Sequence, residues 1–171
     1  AETEGLDRKT LALPAVQQRA LRALSAVNPN LVLVLSAGSV VDLAPAATGR
    51  AILHGYLGGE AGAGAMAELL YGDANPSGKL AESYPLTLED TPAYPYRKLR
   101  GNCAEYRESI YVGYRYYDKA KVPLRYPFGF GLSYTRFVYE DLRLGEAGVR
   151  FRLRNTGSRA GAEIAELYIG A

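Results

Sequence analysis

Leu31-Val32-Leu33-Val34-Leu35 is an unbroken apolar run held between Asn28-Pro29-Asn30 and Ser36-Ala37-Gly38-Ser39. A strand with one wet face alternates polar and apolar residues. A run without alternation, rich in β-formers, fits a strand covered on both faces, as in a parallel α/β sheet. The flanking segments agree. Upstream, Val16, Ala20, Leu24 and Val27 recur at three- or four-residue steps behind Pro14, which predicts a helix over 14–27. Downstream, residues 51–56 (AILHGY) form a second short apolar segment, and residues 65–71 read as a helix closed by Gly72. Residues 79–84 are a candidate third strand after the turn Asn75-Pro76-Ser77-Gly78. Helix, strand, strand, helix, strand in this order defines an α/β fold, read as part of an α/β/α sandwich with a partly parallel sheet.

The chain changes character further on. Eleven of its fourteen tyrosines lie between Tyr84 and Tyr139, and there is no tryptophan. Residues 85–135 are rich in Tyr, Pro and Gly and lack a helical period, so they read as a long ordered connector whose rings pack on one another. From Arg136 the period becomes two. Phe137, Tyr139, Leu142 and Leu144 suggest a strand with a bulge, and Val149, Phe151 and Leu153 alternate with Arg150, Arg152 and Arg154 on a solvated face. Ile164, Leu167 and Ile169 mark a third strand after the turn 155–158. Three such strands are an incomplete β-sandwich. The organisation expected is therefore 1–95 as part of an α/β sandwich, 96–135 as connector and 136–171 as the truncated β-domain.

Charge and composition exclude several functions. Twenty Lys+Arg against eighteen Asp+Glu leave a net charge of +2, no electrostatic ground for a nucleic-acid or anionic-membrane partner. No apolar stretch approaches the roughly 20 residues that span a bilayer, and no secretory signal opens the chain, so a soluble protein of undetermined compartment is expected. A single cysteine, Cys103, excludes an internal disulfide or a cysteine-rich zinc site. The single histidine, His54, excludes any mechanism that needs two; it is read as a half-buried structural imidazole. No metal and no cofactor is expected. Residues 59–64 (GEAGAG) lack the lysine of a phosphate loop and read as tight helix packing. Asp73, Asn75 and Ser77 fit turn chemistry, with Lys79 closing the turn.

Four blocks carry a family resemblance: GDANPSGKLAESYPLTLEDTPAYP (72–95), YRESIYVGYRYYDK (106–119), YPFGFGLSYTRFVYEDL (126–142) and VRFRLRNTGSRAGAEIAELYIG (149–170). The first three resemble the C-terminal half of family 3 glycoside hydrolases of the β-glucosidase type. The last resembles the opening strands of the fibronectin type III-like domain that ends many of them. The resemblance implies a retaining β-glycosidase whose site has two parts. A (β/α)8-like barrel, not expected within these residues, carries an aspartate nucleophile; the following α/β sandwich supplies the acid/base glutamate. In this chain the matching stretch is Thr3-Glu4-Gly5-Leu6-Asp7-Arg8 ahead of Leu13-Pro14, which makes Glu4 the acid/base candidate and Glu2 its rival. Asp7 and Arg8 are read as structural, tying the loop to the helix start.

The chemistry explains why such a residue is needed. A sugar alkoxide leaves at neutral pH only if protonated in the transition state, which asks for a carboxylic acid still protonated near about pH 6. An ionised nucleophile about 5 Å away raises the pKa by like-charge repulsion. Once the glycosyl-enzyme forms that charge is gone, and the same residue ionises and activates water. The expected partners are a β-linked sugar and the barrel, from the same gene product or a separate chain. Alternative functions are a non-catalytic carbohydrate-binding or interaction module, and a β-xylosidase of the same family.

Overall fold

The computed structural model describes residues 8–46, 49–96, 103, 105–146 and 148–170. They fall into two compact units, one made of the described residues within 1–62 and 81–128 and one of those within 63–80 and 129–171.

In the first unit, helix α1 spans Ala15–Val27 behind Pro14, and the Asn28 amide closes it on the Leu24 carbonyl at 2.9 Å. The buried residue of α1 is Leu21. The expected stripe is not the inward face, because Val16, Leu24 and Val27 are exposed while Gln18, Leu21 and Ser25 turn inward. Gln18 belongs there through its Nε2, which donates to the Leu13 carbonyl at 2.7 Å and satisfies the loop before the helix.

Strands β1 (Val32–Leu35) and β2 (Ala51–His54) pair in parallel, with Val32 opposite Ala51 and Leu35 opposite His54. The parallel pairing agrees with the sequence; burial on both faces does not. Leu35 is buried, but Val32 and Val34 are 45% and 43% exposed. Between β1 and β2 the chain passes through a 3-10 turn at Ala44–Ala46. Gly58 approaches Gly62 so closely that a Cβ on Gly58 would lie 2.9 Å from the Gly62 Cα, consistent with tight packing in the glycine-rich stretch.

The expected strand at 79–84 shrinks to the two residues Tyr84–Pro85 (β3). They pair antiparallel with β4 (Leu124–Tyr126) across a register shift. Further along, 3-10 turns lie at Leu88–Asp90 and Tyr94–Tyr96, and helix α3 at Tyr114–Ala120. Gly113 and Lys121, with φ of 54° and 56°, bracket α3. Aromatic rings of this stretch pack on one another: Tyr114 stacks on Phe128 at 5.2 Å, and Tyr116 meets Tyr117 edge-on at 5.3 Å. Leu13, Leu21, Leu35, Ala37, Val41, Leu43, Tyr84 and Tyr117 make the apolar core of this unit.

The second unit contains helix α2 from Ala63 (α2 spans Gly62–Tyr71) and the antiparallel hairpin of β5 (Phe137–Gly145) and β6 (Gly148–Asn155). The register shifts between Glu140 and Arg143, where Asp141 has φ 55°, so the bulge read from the spacing is present. Phe137, Tyr139, Leu144, Val149, Phe151 and Leu153 share one face, and the arginines share the other. The expected third strand at 164–169 does not form. A strand exists only through its ladder, and residues 160–170 join none among the described residues. Asn75 binds within its turn, donating to Ser77 Oγ at 3.1 Å, and also accepts from Ser133 Oγ and the Tyr134 amide. Lys79 does not close that turn. Its ammonium donates to the Gly131 carbonyl at 2.8 Å and pairs with Glu163 at 3.1 Å. No described helix is long and apolar enough to cross a membrane.

Candidate functional site

Glu4, its rival Glu2 and Asp7 lie outside the described residues. What the structure gives is the attachment of the segment that follows them. Arg8 Nη2 donates to Ser39 Oγ at 2.8 Å and to the Val40 carbonyl at 2.6 Å. The tie made by Arg8 therefore runs to the bend after β1 rather than to the start of α1, a correction to the sequence reading. Three residues further on, the Asp42 amide donates to the Leu11 carbonyl at 2.7 Å. Leu13 is buried, and Gln18 of α1 holds its carbonyl. Residues 8–13 are thus fastened to two elements before α1 begins. Nothing local in the sequence points to Ser39 and Val40 as partners, because they stand 31 and 32 positions away.

At the end of β2, His54 Nδ1 lies 3.3 Å from both the Tyr56 amide and the Leu35 carbonyl, so its tautomer decides which contact is the hydrogen bond. Its ring stacks on Tyr56 at 3.8 Å and meets Tyr84 edge-on at 6.1 Å. This is a half-buried, engaged imidazole, as the sequence suggested. Burial, and then the Glu82 carboxylate, raise the Tyr56 phenol above its ordinary value. Tyr84, 1% exposed, is raised by burial first and then by Tyr56 and Glu82. Burial, followed by Asp90 and Tyr116, pushes Tyr117 up to about 12. Such phenols keep their protons at neutral pH and do not serve as bases.

Two clefts open in the first unit. One of about 440 Å³ is lined by Glu82, Ser83, Tyr114, Tyr117 and Phe128 together with smaller residues, and Glu82 is its sole carboxylate among the described residues. The other, of about 610 Å³, runs between α1 and β1 with Arg8 on its wall, and no described carboxylate lines it. A retaining glycosidase needs two carboxyl groups about 5 Å apart. Among the described residues neither cleft holds that pair. No cluster of three or more His, Cys, Asp or Glu suited to a metal occurs among the described residues. Cys103 is exposed.

Comparison with known proteins identifies the class. Residues 1–134 match the family described as glycosyl hydrolase family 3 C-terminal domain, and the chain belongs to that family. The chain is 40% identical to the thermostable beta-glucosidase B of Acetivibrio thermocellus, covering 98% of this chain and 23% of that protein. It is 41% identical to the probable beta-glucosidase K of Emericella nidulans, covering 99% of this chain and 20% of the relative. Among solved structures, the family 3 beta-glucosidase of Bifidobacterium adolescentis superposes with a TM-score of 0.87 at 41% identity, over 91% of this chain and 24% of that one. Beta-glucosidase 3B of Thermotoga neapolitana, solved with alpha-D-glucose, gives 0.84 at 34% identity, over 92% and 24%. The chain thus spans about a fifth to a quarter of the length of these relatives, and it matches their C-terminal domain.

Proposed function

We propose that this chain is the acid/base-bearing portion of a retaining β-glucosidase. Glu4 protonates the departing aglycone and later activates water; an aspartate of a (β/α)8-like barrel forms the glycosyl-enzyme. The observation that supports this most is identity near 40%, sustained over almost the whole chain, to proteins named beta-glucosidase. In this reading residues 1–95 belong to the α/β sandwich, 96–135 to the connector and 136–171 to the start of a fibronectin type III-like domain. The substrate is a terminal β-linked glucoside, and neither metal nor cofactor takes part.

Glu4→Gln in the full-length protein tests the assignment. Loss of the acid should slow alkyl glucosides by about 10²–10⁴-fold while sparing glycosylation by nitrophenyl glucosides, whose leaving group needs little protonic help. Azide should restore turnover by replacing the general base. The same pattern in Glu2→Gln alone would move the role two residues toward the N-terminus. Equal losses on both leaving groups without azide rescue would reject Glu4. A panel of aryl glycosides covers the alternatives: preference for xylosides identifies a β-xylosidase, and sugar binding without hydrolysis identifies a non-catalytic module.

A further inference from the structure

We propose that residues 157–164 are a latch on the end of α2 and the turn that follows it, and that latch, helix end and turn open together as one local unit. All of these residues lie in the second compact unit. Among the described residues, 157–164 enter no strand ladder, so side chains hold the segment in place. Arg159 Nη1 donates to the Gly72 carbonyl at 2.6 Å, one residue past the end of α2. The same guanidinium lies 5.8 Å from the centre of the Tyr134 ring. Further along, the Ala162 amide donates to Ser77 Oγ at 3.2 Å. Glu163 then pairs with Lys79 at 3.1 Å, and these two side chains are only 12% and 15% exposed. A pair covered to this extent is screened by salt far less than one in open solvent.

The three anchors are joined because their targets share one hub. Asn75 Oδ1 accepts from Ser133 Oγ at 3.1 Å and from the Tyr134 amide at 2.8 Å. Its Nδ2 donates at 3.1 Å to Ser77 Oγ, the same oxygen that takes the Ala162 amide. Tyr134, fixed by Asn75, donates from its phenol to the Leu69 carbonyl in the last turn of α2 at 2.8 Å. The latch also seats too closely to slide. A Cβ on Gly161 would stand 2.6 Å from Asn75 Nδ2, and one on Gly157 would stand 2.2 Å from Thr135 Oγ1. Groups tied into one network transmit the loss of any member beyond its own neighbours. A segment fastened by side chains without a ladder belongs to the low end of local stability, so it opens without unfolding the whole unit.

Hydrogen exchange read by peptide mass spectrometry on the full-length protein tests this, with Arg159→Met and Glu163→Gln beside the parent. Arg159→Met keeps the apolar stem and loses the donor. Glu163→Gln removes the charge opposite Lys79 but keeps an oxygen for the Ile164 amide, which Glu163 accepts at 2.9 Å. Each variant should raise exchange by a common factor of about tenfold in peptides 68–80, 129–136 and 157–164. Peptides 137–145 and 148–155 of the β5–β6 hairpin should not change. The far end decides the matter: Glu163→Gln must speed peptide 68–74, where the Asp73 and Ala74 amides bond the Glu68 carbonyl, as much as it speeds 157–164. Faster exchange confined to 157–164 overturns the shared opening, and unchanged exchange throughout overturns the latch itself. An equal rise in the hairpin peptides also overturns the proposal, because the opening is then not local. If neither variant folds, the parent in rising sub-denaturing urea carries the test. Its three peptides should gain exchange with one common urea dependence, and separate dependences overturn the proposal.

Discussion

Tyr117 is 5% exposed, and its phenol is pushed up to about 12 from an ordinary 10.0. The sign of the consequence follows from proton counting. Between those values the unfolded chain has released the proton and the native state still holds it, so the native state binds more protons and stability falls as pH rises. The contribution is complete below about pH 10 and is lost through about pH 12. Urea unfolding at roughly pH 9 and pH 11 should show a smaller drop in midpoint for Tyr117→Phe than for the parent chain; identical drops would mean that Tyr117 is not the group responsible. At this scale the sequence revealed residue types and hid their partners. Asn75 was legible as a turn residue, because Asx chemistry is local. Its acceptance from Ser133 and Tyr134 was not, nor was the reach of Lys79 to Gly131, 52 positions on. Glu4 and Glu2 stand on the family resemblance alone.

Elements were legible where a local period coincided with a local stop. α1 begins behind Pro14 and ends at Asn28, close to where the spacing placed it, and β1 pairs in parallel with β2. Which face of α1 turns inward was not legible, since the apolar line through Val16, Leu24 and Val27 stays exposed and tertiary contact turns Gln18, Leu21 and Ser25 inward instead. α3 was invisible because its seven residues, YRYYDKA, carry no apolar period. The β5 bulge was visible because Tyr139 and Leu142 stand three apart where two is the period. It places Asp141 at φ 55°, a backbone region that a β-branched side chain resists. Asp141→Val should therefore cost about 1–2 kcal/mol of stability. Asp141→Gly should lie within about 1 kcal/mol of the parent, because the relieved backbone offsets an exposed ion pair to Arg152 and the added freedom of the unfolded chain. Denaturant midpoints check both, and a Val variant as stable as the Gly variant would show that the left-handed geometry at Asp141 is not maintained in solution.

At the scale of the whole chain, family membership was legible because four ordered blocks together are specific where each alone is not. The state of residues 164–169 was not: periodicity in Ile164, Leu167 and Ile169 signals a preference, and pairing needs a neighbour that sequence alone does not supply. Catalytic sufficiency belongs to this scale as well. With one carboxylate lining one described cleft and none lining the other, the purified 171-residue chain should release no nitrophenol from an aryl β-glucoside. Turnover that scales with chain concentration and disappears in Glu4→Gln would overturn this. The charge balance conceals one further consequence. The net charge is only +2, yet Arg143, Arg150, Arg152 and Arg154 share one face of the hairpin, answered by Glu140 and Asp141. An identical chain docking antiparallel along the outer edge of β6 would set arginines beside arginines, and that repulsion guards an otherwise adhesive strand. The guard is electrostatic, so it weakens as added salt shortens the screening length below about 10 Å, and colloidal stability of this chain should depend on ionic strength far more than its near-neutral charge suggests.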